Sequence, residues 1–202
     1  MTQGPGVRAS RVLVLLGRLP APGRCKRRLA IDIGAVAAAR VQRQLLAHTL
    51  AVANQWRSTT ANGAVVIAIG CAQGVGGLGL RMQRQFAKAF RGGARHVVLI
   101  GSDLPLLSAM DINDAFEALN QRDLVIGPAL DGGYWLIGLN HSHGSLFSGI
   151  PWGSNQVLAA TADRAQILGL YPWLLKSRAD IDQLHNLNPW FGFGDCDGDG
   201  DG

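Results

Sequence analysis

Short apolar runs alternate with longer amphipathic stretches along this chain. Residues 11–17, RVLVLLG, are a continuous Val/Leu-rich run closed by glycine. That is the pattern of a strand buried on both faces, as in a parallel sheet. The stretches GAVVIAIG at 63–70 and RHVVLIG at 95–101 repeat it. Between them apolar residues recur at helical spacing. Val36, Ala37, Val41, Leu45, Leu46, Leu50 and Val52 give residues 34–56 one apolar face, and residues 80–90 read as a second helix. Ser108 and Asp111 form an S-x-x-D capping box that opens a third helix, which runs to Asn120. Residues 123–126 and 134–139 read as two more strands joined by a turn. Residues 161–168 read as a helix and residues 171–175 as a last short strand.

Strand and helix alternate along the first two-thirds of the chain. That order predicts an α/β three-layer sandwich with a mostly parallel central sheet and helices on both faces. Open sheets of this kind bind ligands beyond the carboxyl ends of their strands, so the loops after the strands are where chemistry is expected. A length of 202 residues favours one domain. It is expected over residues 11–190, after a flexible stretch at 1–10 and before an acidic Gly/Asp tail at 191–202 that reads as disordered.

Charge sharpens this picture. The net charge is +5, and Arg8, Arg11, Arg18, Arg24, Lys26, Arg27 and Arg28 crowd the N-terminal region. Such a field suits an anionic ligand. The three cysteines, Cys25, Cys71 and Cys196, are far apart and form no CxxC pair, which argues against a disulfide framework or a zinc site and fits a reducing compartment. No apolar run has the length of a membrane span, and the N-terminal run lacks a signal-peptide pattern. The expectation is a cytoplasmic protein with no membrane partner.

Four segments carry candidate chemistry. The loop after the first strand, GRLPAPGRCKRRLA, is long and basic. Gly23 permits close approach of backbone to a ligand, and Arg18, Arg24, Lys26, Arg27 and Arg28 supply donors for a polyphosphate. The P-loop pattern is absent, and a solvated basic loop is the plainer reading. The second segment is VVLIGSDLPLL. Asp103 falls just past a buried strand, where a carboxylate can hold Mg²⁺ or Mn²⁺ against phosphate oxygens; a turn aspartate is the plainer reading. The third is GPALDGGYWLIGL. Asp131-Gly132-Gly133 is a turn, in the plainer reading a hairpin connection. Its glycines flank Tyr134 and Trp135, a wall suited to a sugar or base ring, with Asp131 placed to orient a hydroxyl. The fourth is Asp180-Ile181-Asp182, whose carboxylates share one face of an extended segment. Trp152 and Trp173 read most simply as core or interface residues.

In order, these segments resemble the DUF2064 proteins, called selenodomain-associated transferase 1-like, of the nucleotide-diphospho-sugar transferase superfamily. The family pattern K-x-P-x-P-G-x-x-K-T-R-L is matched by Arg18 to Leu29, and G-x-x-G-L-G-x-R-M by Gly74 and by Gly77 to Met82. G-S/T-D-x-P is matched by Gly101 to Pro105. G-P-A-x-D-G-G-Y-Y/W-L-I-G-L is matched by Gly127 to Leu139 almost throughout. The resemblance covers roughly residues 11–187. Among the departures from it, Arg27 stands for threonine, Gly77 for an acidic residue, Gly153 for the serine of W-S-T, and Asn186 for the last aspartate of D-x-D-T-x-x-D-L.

The resemblance implies a GT-A-like, Rossmann-type fold. It implies phosphate contacts from Lys26 and its neighbouring arginines, with Arg81 of the glycine loop added to Arg18, Gly23, Arg24 and Arg28. It implies metal ligation by Asp103 and Asp182, catalytic roles for Lys26, Asp103 and Asp131, and substrate contacts from Gly132, Gly133 and Tyr134. The expected partners are a nucleotide or nucleotide-sugar and a small-molecule acceptor. The leading expectation is glycosyl transfer from a nucleotide-sugar. Nucleotidyl transfer with release of pyrophosphate is the alternative, and a non-catalytic nucleotide- or RNA-binding module the distant third.

Overall fold

The computed structural model describes residues 9–179 together with Ile181 and Leu187. The two termini read from the sequence as flexible fall largely outside these residues, as do Asp180, Asp182 and Asn186. A single six-stranded sheet organises the chain, in the order β2-β1-β3-β5-β4-β6. The strands are β1 (Arg11–Gly17), β2 (Gly63–Ile69), β3 (His96–Ile100), β4 (Leu124–Pro128), β5 (Tyr134–Leu139) and β6 (Trp173–Leu174). β1 pairs in parallel with both β2 and β3, and β4 in parallel with β6. Only β5 runs antiparallel, paired with β3 on one side and β4 on the other. The sheet is therefore mostly parallel, as the alternating pattern predicts. The exception is the β4–β5 hairpin, which the turn residues at 131–133 had marked.

Five helices cover the sheet: α1 (Arg27–Ile33), α2 (Ala35–Thr59), α3 (Leu78–Arg91), α4 (Ala109–Ala118) and α5 (Val157–Ile167). Alternate residues of each strand feed opposite cores. Leu13, Leu15, Val98 and Ile100 pack with Trp56 of α2 and Phe116 of α4, whose rings stack at 4.9 Å. Val12, Val14, Val97 and Leu99 pack with Met82 and Phe86 of α3 and Ala165 of α5. Burying each large side chain on either face contributes about 1.5–3 kcal/mol. Two such cores, one on each face of the sheet, make the three layers.

Among the elements that differ from the sequence reading are α1 and two 3-10 turns, at Gly70–Gln73 and Gly144–Phe147. Residues 18–33, which the sequence marks as one basic, Pro/Gly-punctuated loop, do not run unbroken, because α1 closes them. Leu29, Ala30 and Ile33 lie at i, i+1, i+4 and pack with Ala38, Val41 and Leu45 of α2 and with Ile181, forming a small third core. The 3-10 turn at Gly144–Phe147 carries two buried side chains and has no periodic signal in sequence. The capping box is present as read: Asp111 N–H donates to Ser108 Oγ at 3.3 Å, and Ser108 N–H donates to Asp111 Oδ2 at 2.9 Å.

Candidate active site

The loops that carry candidate chemistry, the glycine loop after β2 among them, meet at one edge of the sheet. β1, β3 and β4 point their carboxyl ends there, and β5, running the other way, begins there. The segment after β6 crosses this edge as a strap. Leu175 N–H donates to Ile126 O at 2.9 Å, Arg178 N–H to Pro128 O at 3.0 Å, and Leu130 N–H to Arg178 O at 3.0 Å. Ile181 N–H then donates to Asp103 O at 3.1 Å. The Arg178 guanidinium pairs with Asp111, the capping carboxylate of α4. The strap thus ties the end of β4, the end of β3 and the start of α4 into one frame.

Asp103 sits in that frame. Its Oδ1 lies 2.8 Å from Lys26 Nζ, and its side chain is 46% exposed while that of Lys26 is 4% exposed. Lys26 also donates to the Ile181 carbonyl. Its backbone occupies the left-handed region (φ 46°, ψ 49°) at the cap of α1. That conformation is costly for a non-glycine residue and persists where surrounding contacts fix it. Ser102, next to Asp103, accepts a hydrogen bond from the buried Gln42 amide of α2 at 2.9 Å. Helix, strap and lysine together fix the loop after β3.

Asp131 is presented differently. It lies exposed at the apex of the hairpin, and its Oδ1 accepts the Gly133 N–H at 2.8 Å. Gly132 has φ 89°, and a Cβ there would collide with the Asn155 carbonyl oxygen. Only glycine lets the hairpin tip seat against the loop at 153–155.

Asp103 and Asp131 line one small pocket of about 120 Å³, together with Gly133, Tyr134 and Trp135. The pocket adjoins a cleft of about 580 Å³, which shares Asp131, Gly133 and Tyr134. Arg18, Arg27 and Arg28 line one side of this cleft, and Trp152, Gly153, Ser154 and Asn155 another. Tyr134 meets Trp152 edge to face, with centroids 6.3 Å apart. Burial pushes the Tyr134 phenol well above the usual tyrosine range, while the nearby Thr161 hydroxyl pulls the other way. Among the described residues neither hydroxyl completes a regular hydrogen bond. Tyr134 therefore presents a neutral aromatic wall and is a poor proton donor.

The structure brings together Arg18, Arg28, Asp103, Asp131, Gly133 and Tyr134 around these cavities, with Gly132 in the hairpin turn. Gly23 (φ 73°) and Arg24 lie on the exposed part of the basic loop. Lys26 is turned inward onto Asp103. Arg81 is committed to the glycine loop: its Nε donates to Gly76 O at 2.8 Å and its Nη1 to Gln73 Oε1 at 3.2 Å. Asp182 lies outside the described residues. Trp152 and Asn155 are cleft residues that the sequence reading left out of the site. The Trp152-Gly153-Ser154 motif was the available signal for them.

Two carboxylates and water offer the hard oxygen donors that Mg²⁺ or Mn²⁺ prefers. Among the described residues no group of three or more His, Cys, Asp or Glu converges to cage a metal. The donor set fits an ion that takes its remaining ligands from phosphate and water. No helix among the described residues is long and apolar enough to cross a membrane.

Comparison with known proteins agrees with this fold. The fold is similar to that of a protein from Desulfovibrio desulfuricans G20 provisionally named a nucleotide-diphospho-sugar transferase. The two share 28% identity at a TM-score of 0.81, over 89% of this chain and 85% of that one. Two more distant structures show the fold alone. One is CMP:2-keto-3-deoxy-manno-octonic acid synthetase complexed with CTP, at 11% identity and a TM-score of 0.53, covering 89% of this chain and 96% of that one. The other is 4-diphosphocytidyl-2C-methyl-D-erythritol synthase from Anaerococcus prevotii DSM 20548, at 8% identity and a TM-score of 0.54, with the same coverage. No curated protein matches the sequence. The family model DUF2064, described as an uncharacterized protein conserved in bacteria, matches residues 33–154, more than half of the chain. On that match, this chain belongs to the DUF2064 family.

Proposed function

We propose that this protein is a metal-dependent transferase that moves a glycosyl group from a nucleoside-diphosphate sugar to a small hydroxyl-bearing acceptor. The observation that carries the reading is the segregation of charge across one continuous site. Asp103 lines the small pocket, three arginines, Arg18, Arg27 and Arg28, line the cleft it opens into, and Asp131 stands where the two join. A metal-bound diphosphate has that polarity. A cleft of about 580 Å³ falls within the usual range for small-molecule and cofactor sites. The similarity to the Desulfovibrio protein supports a nucleotide-sugar as the donor.

Asp103 is the proposed metal ligand, and the sequence motif nominates Asp182 as a second. When bound, Mg²⁺ or Mn²⁺ would neutralise charge on the diphosphate and stabilise it as leaving group. Lys26 pairs with Asp103 and aims its carboxylate. The arginine wall clamps phosphate oxygens with paired N–H donors. Gly133 and the Tyr134 ring give the sugar a flat, close-fitting surface. In the reaction the acceptor oxygen attacks the anomeric carbon, and the bond from that carbon to the diphosphate oxygen breaks. The electron pair leaves with the nucleoside diphosphate. Asp131 takes the acceptor's proton on the carboxylate oxygen not held by Gly133.

Nucleotidyl transfer is the second reading, favoured by one observation: three arginines on one wall also suit the larger charge of a triphosphate. In that case a phosphorylated substrate attacks the α-phosphorus and pyrophosphate leaves. One experiment separates the two. The protein is incubated with Mn²⁺, a panel of nucleotide-sugars, and separately a panel of nucleoside triphosphates with sugar phosphates. Release of nucleoside diphosphate without pyrophosphate supports glycosyl transfer. Pyrophosphate release that needs the sugar phosphate overturns it in favour of nucleotidyl transfer.

A further inference from the structure

A third cavity, of about 140 Å³, opens off the same site. It shares Gly101, Tyr134 and Trp135 with the carboxylate pocket, and Leu78 and Tyr134 with the arginine-walled cleft. Its own walls are apolar: Leu16, Met82, Leu99, Leu136 and Ile137. Leu99 and Ile137 come from the sheet and Met82 from α3, so the chamber lies between those two layers. Met82, Leu99 and Ile137 are at most 5% exposed. Of these walls the metal–diphosphate reading uses Tyr134 alone, for the donor sugar.

Gly101 stands where the chamber meets the carboxylate pocket. A Cβ at this position would meet no atom within 4 Å, and its φ is not in the left-handed region. Neither backbone conformation nor packing requires glycine here. What the missing side chain leaves is an open passage, two residues from Asp103.

An aliphatic recess of this size accepts a benzene-sized group and offers water few hydrogen-bond partners. An empty apolar chamber also forfeits dispersion contacts along its whole lining. Both effects favour an apolar occupant over a sugar or a water cluster. We infer that the acceptor is amphiphilic: a hydroxyl placed at Asp131 and an apolar group, of about six to eight heavy atoms, seated in this chamber. This rests on the transferase reading for the word acceptor. The preference of the chamber for an apolar group stands independently of it.

The test uses benzyl alcohol as probe and glycerol as polar control. The chain holds three methionines, so the spectrum of ¹³C-methyl methionine is simple. Met82 lines the chamber, while Met110 is 72% exposed on α4 and serves as internal reference. Benzyl alcohol is expected to shift the Met82 methyl saturably at millimolar concentration, with Met110 unmoved, and glycerol to shift neither. Gly101→Val, which narrows the passage, is expected to weaken benzyl alcohol binding by about tenfold or more. Met82→Phe, which fills the chamber, is a second variant, read by saturation transfer to the probe, and should abolish binding while Mn²⁺-dependent nucleotide binding persists. A Met82 methyl that ignores benzyl alcohol, or answers glycerol equally, overturns the inference. Apolar binding in a protein that shows no metal-dependent nucleotide binding would leave the chamber in place and sink its assignment to an acceptor.

Discussion

Asp103 and Asp131 line one pocket, yet they are held there by opposite means. Asp103 is fixed by parts of the chain far apart in sequence. Lys26 reaches its carboxylate, Ile181 holds its carbonyl, and Gln42 pins the adjacent Ser102. Asp131 is fixed by its own turn, through the Gly133 amide two residues away. The first arrangement couples a functional carboxylate to the folding of the domain. The second leaves the carboxylate on an exposed hairpin tip whose seat depends on one glycine. Substitution at the first should therefore damage function and stability together, and at the second function alone.

The largest expected effect tests the first half of that contrast. Asp103→Asn should reduce kcat by about a thousandfold, the scale of losing several kcal/mol of transition-state stabilisation. It should also destabilise the fold by about 1–3 kcal/mol, because Lys26 stays buried without its carboxylate. The half-exposed Asp103 keeps that figure below the cost of breaking a fully buried pair. Steady-state kinetics and thermal denaturation of the same preparation measure both. Unchanged stability would mean that Lys26 finds equal compensation elsewhere.

Asp131→Asn should lower kcat by about a hundredfold, the lower end of general-base contributions. Its unfolding free energy should stay within about 0.5 kcal/mol of the wild type, as for other surface substitutions. A matching loss of stability would dissolve the contrast. Gly132→Ala probes the seat of the hairpin. The new Cβ meets the Asn155 carbonyl and takes up a left-handed backbone, so a loss of about 1–3 kcal/mol is expected on denaturant unfolding. Metal binding at Asp103 should survive it. The smallest effect belongs to the arginine wall. Arg27→Ala should weaken nucleotide binding about tenfold, or about 1.4 kcal/mol, and the deficit should shrink as salt rises.

The contrast also explains what was legible in the sequence. Asp131 and its glycines were visible because a hairpin is local, and turn chemistry, strand alternation and site occupy one stretch of thirteen residues, Gly127 to Leu139. The capping box of α4 was visible for the same reason. The strand-end position of Asp103 followed from the apolar run before it. Its supports did not, because Lys26 and Ile181 lie 155 residues apart in the chain and meet only once the sheet has formed. The inward turn of Lys26 was hidden as well. A lysine flanked by arginines reads as one more member of a basic loop, and nothing local marks the one that is buried. α1 was masked by the same run of charge, since it is short and its apolar positions make sense only against α2. Arg81 stood in a glycine-loop motif, but it lies on α3, where its guanidinium secures the loop before the helix.

The central claim is that the carboxylate pocket and the arginine-walled cleft form one site for a metal-bound diphosphate. Calorimetric titration of wild type and Asp103→Asn with UDP-sugars and other nucleotide-sugars, each with and without Mn²⁺, tests it most directly. The account predicts binding that requires Mn²⁺ in the wild type and disappears in Asp103→Asn. Nucleotide-sugar binding of equal strength without metal, and undiminished in Asp103→Asn, would contradict it.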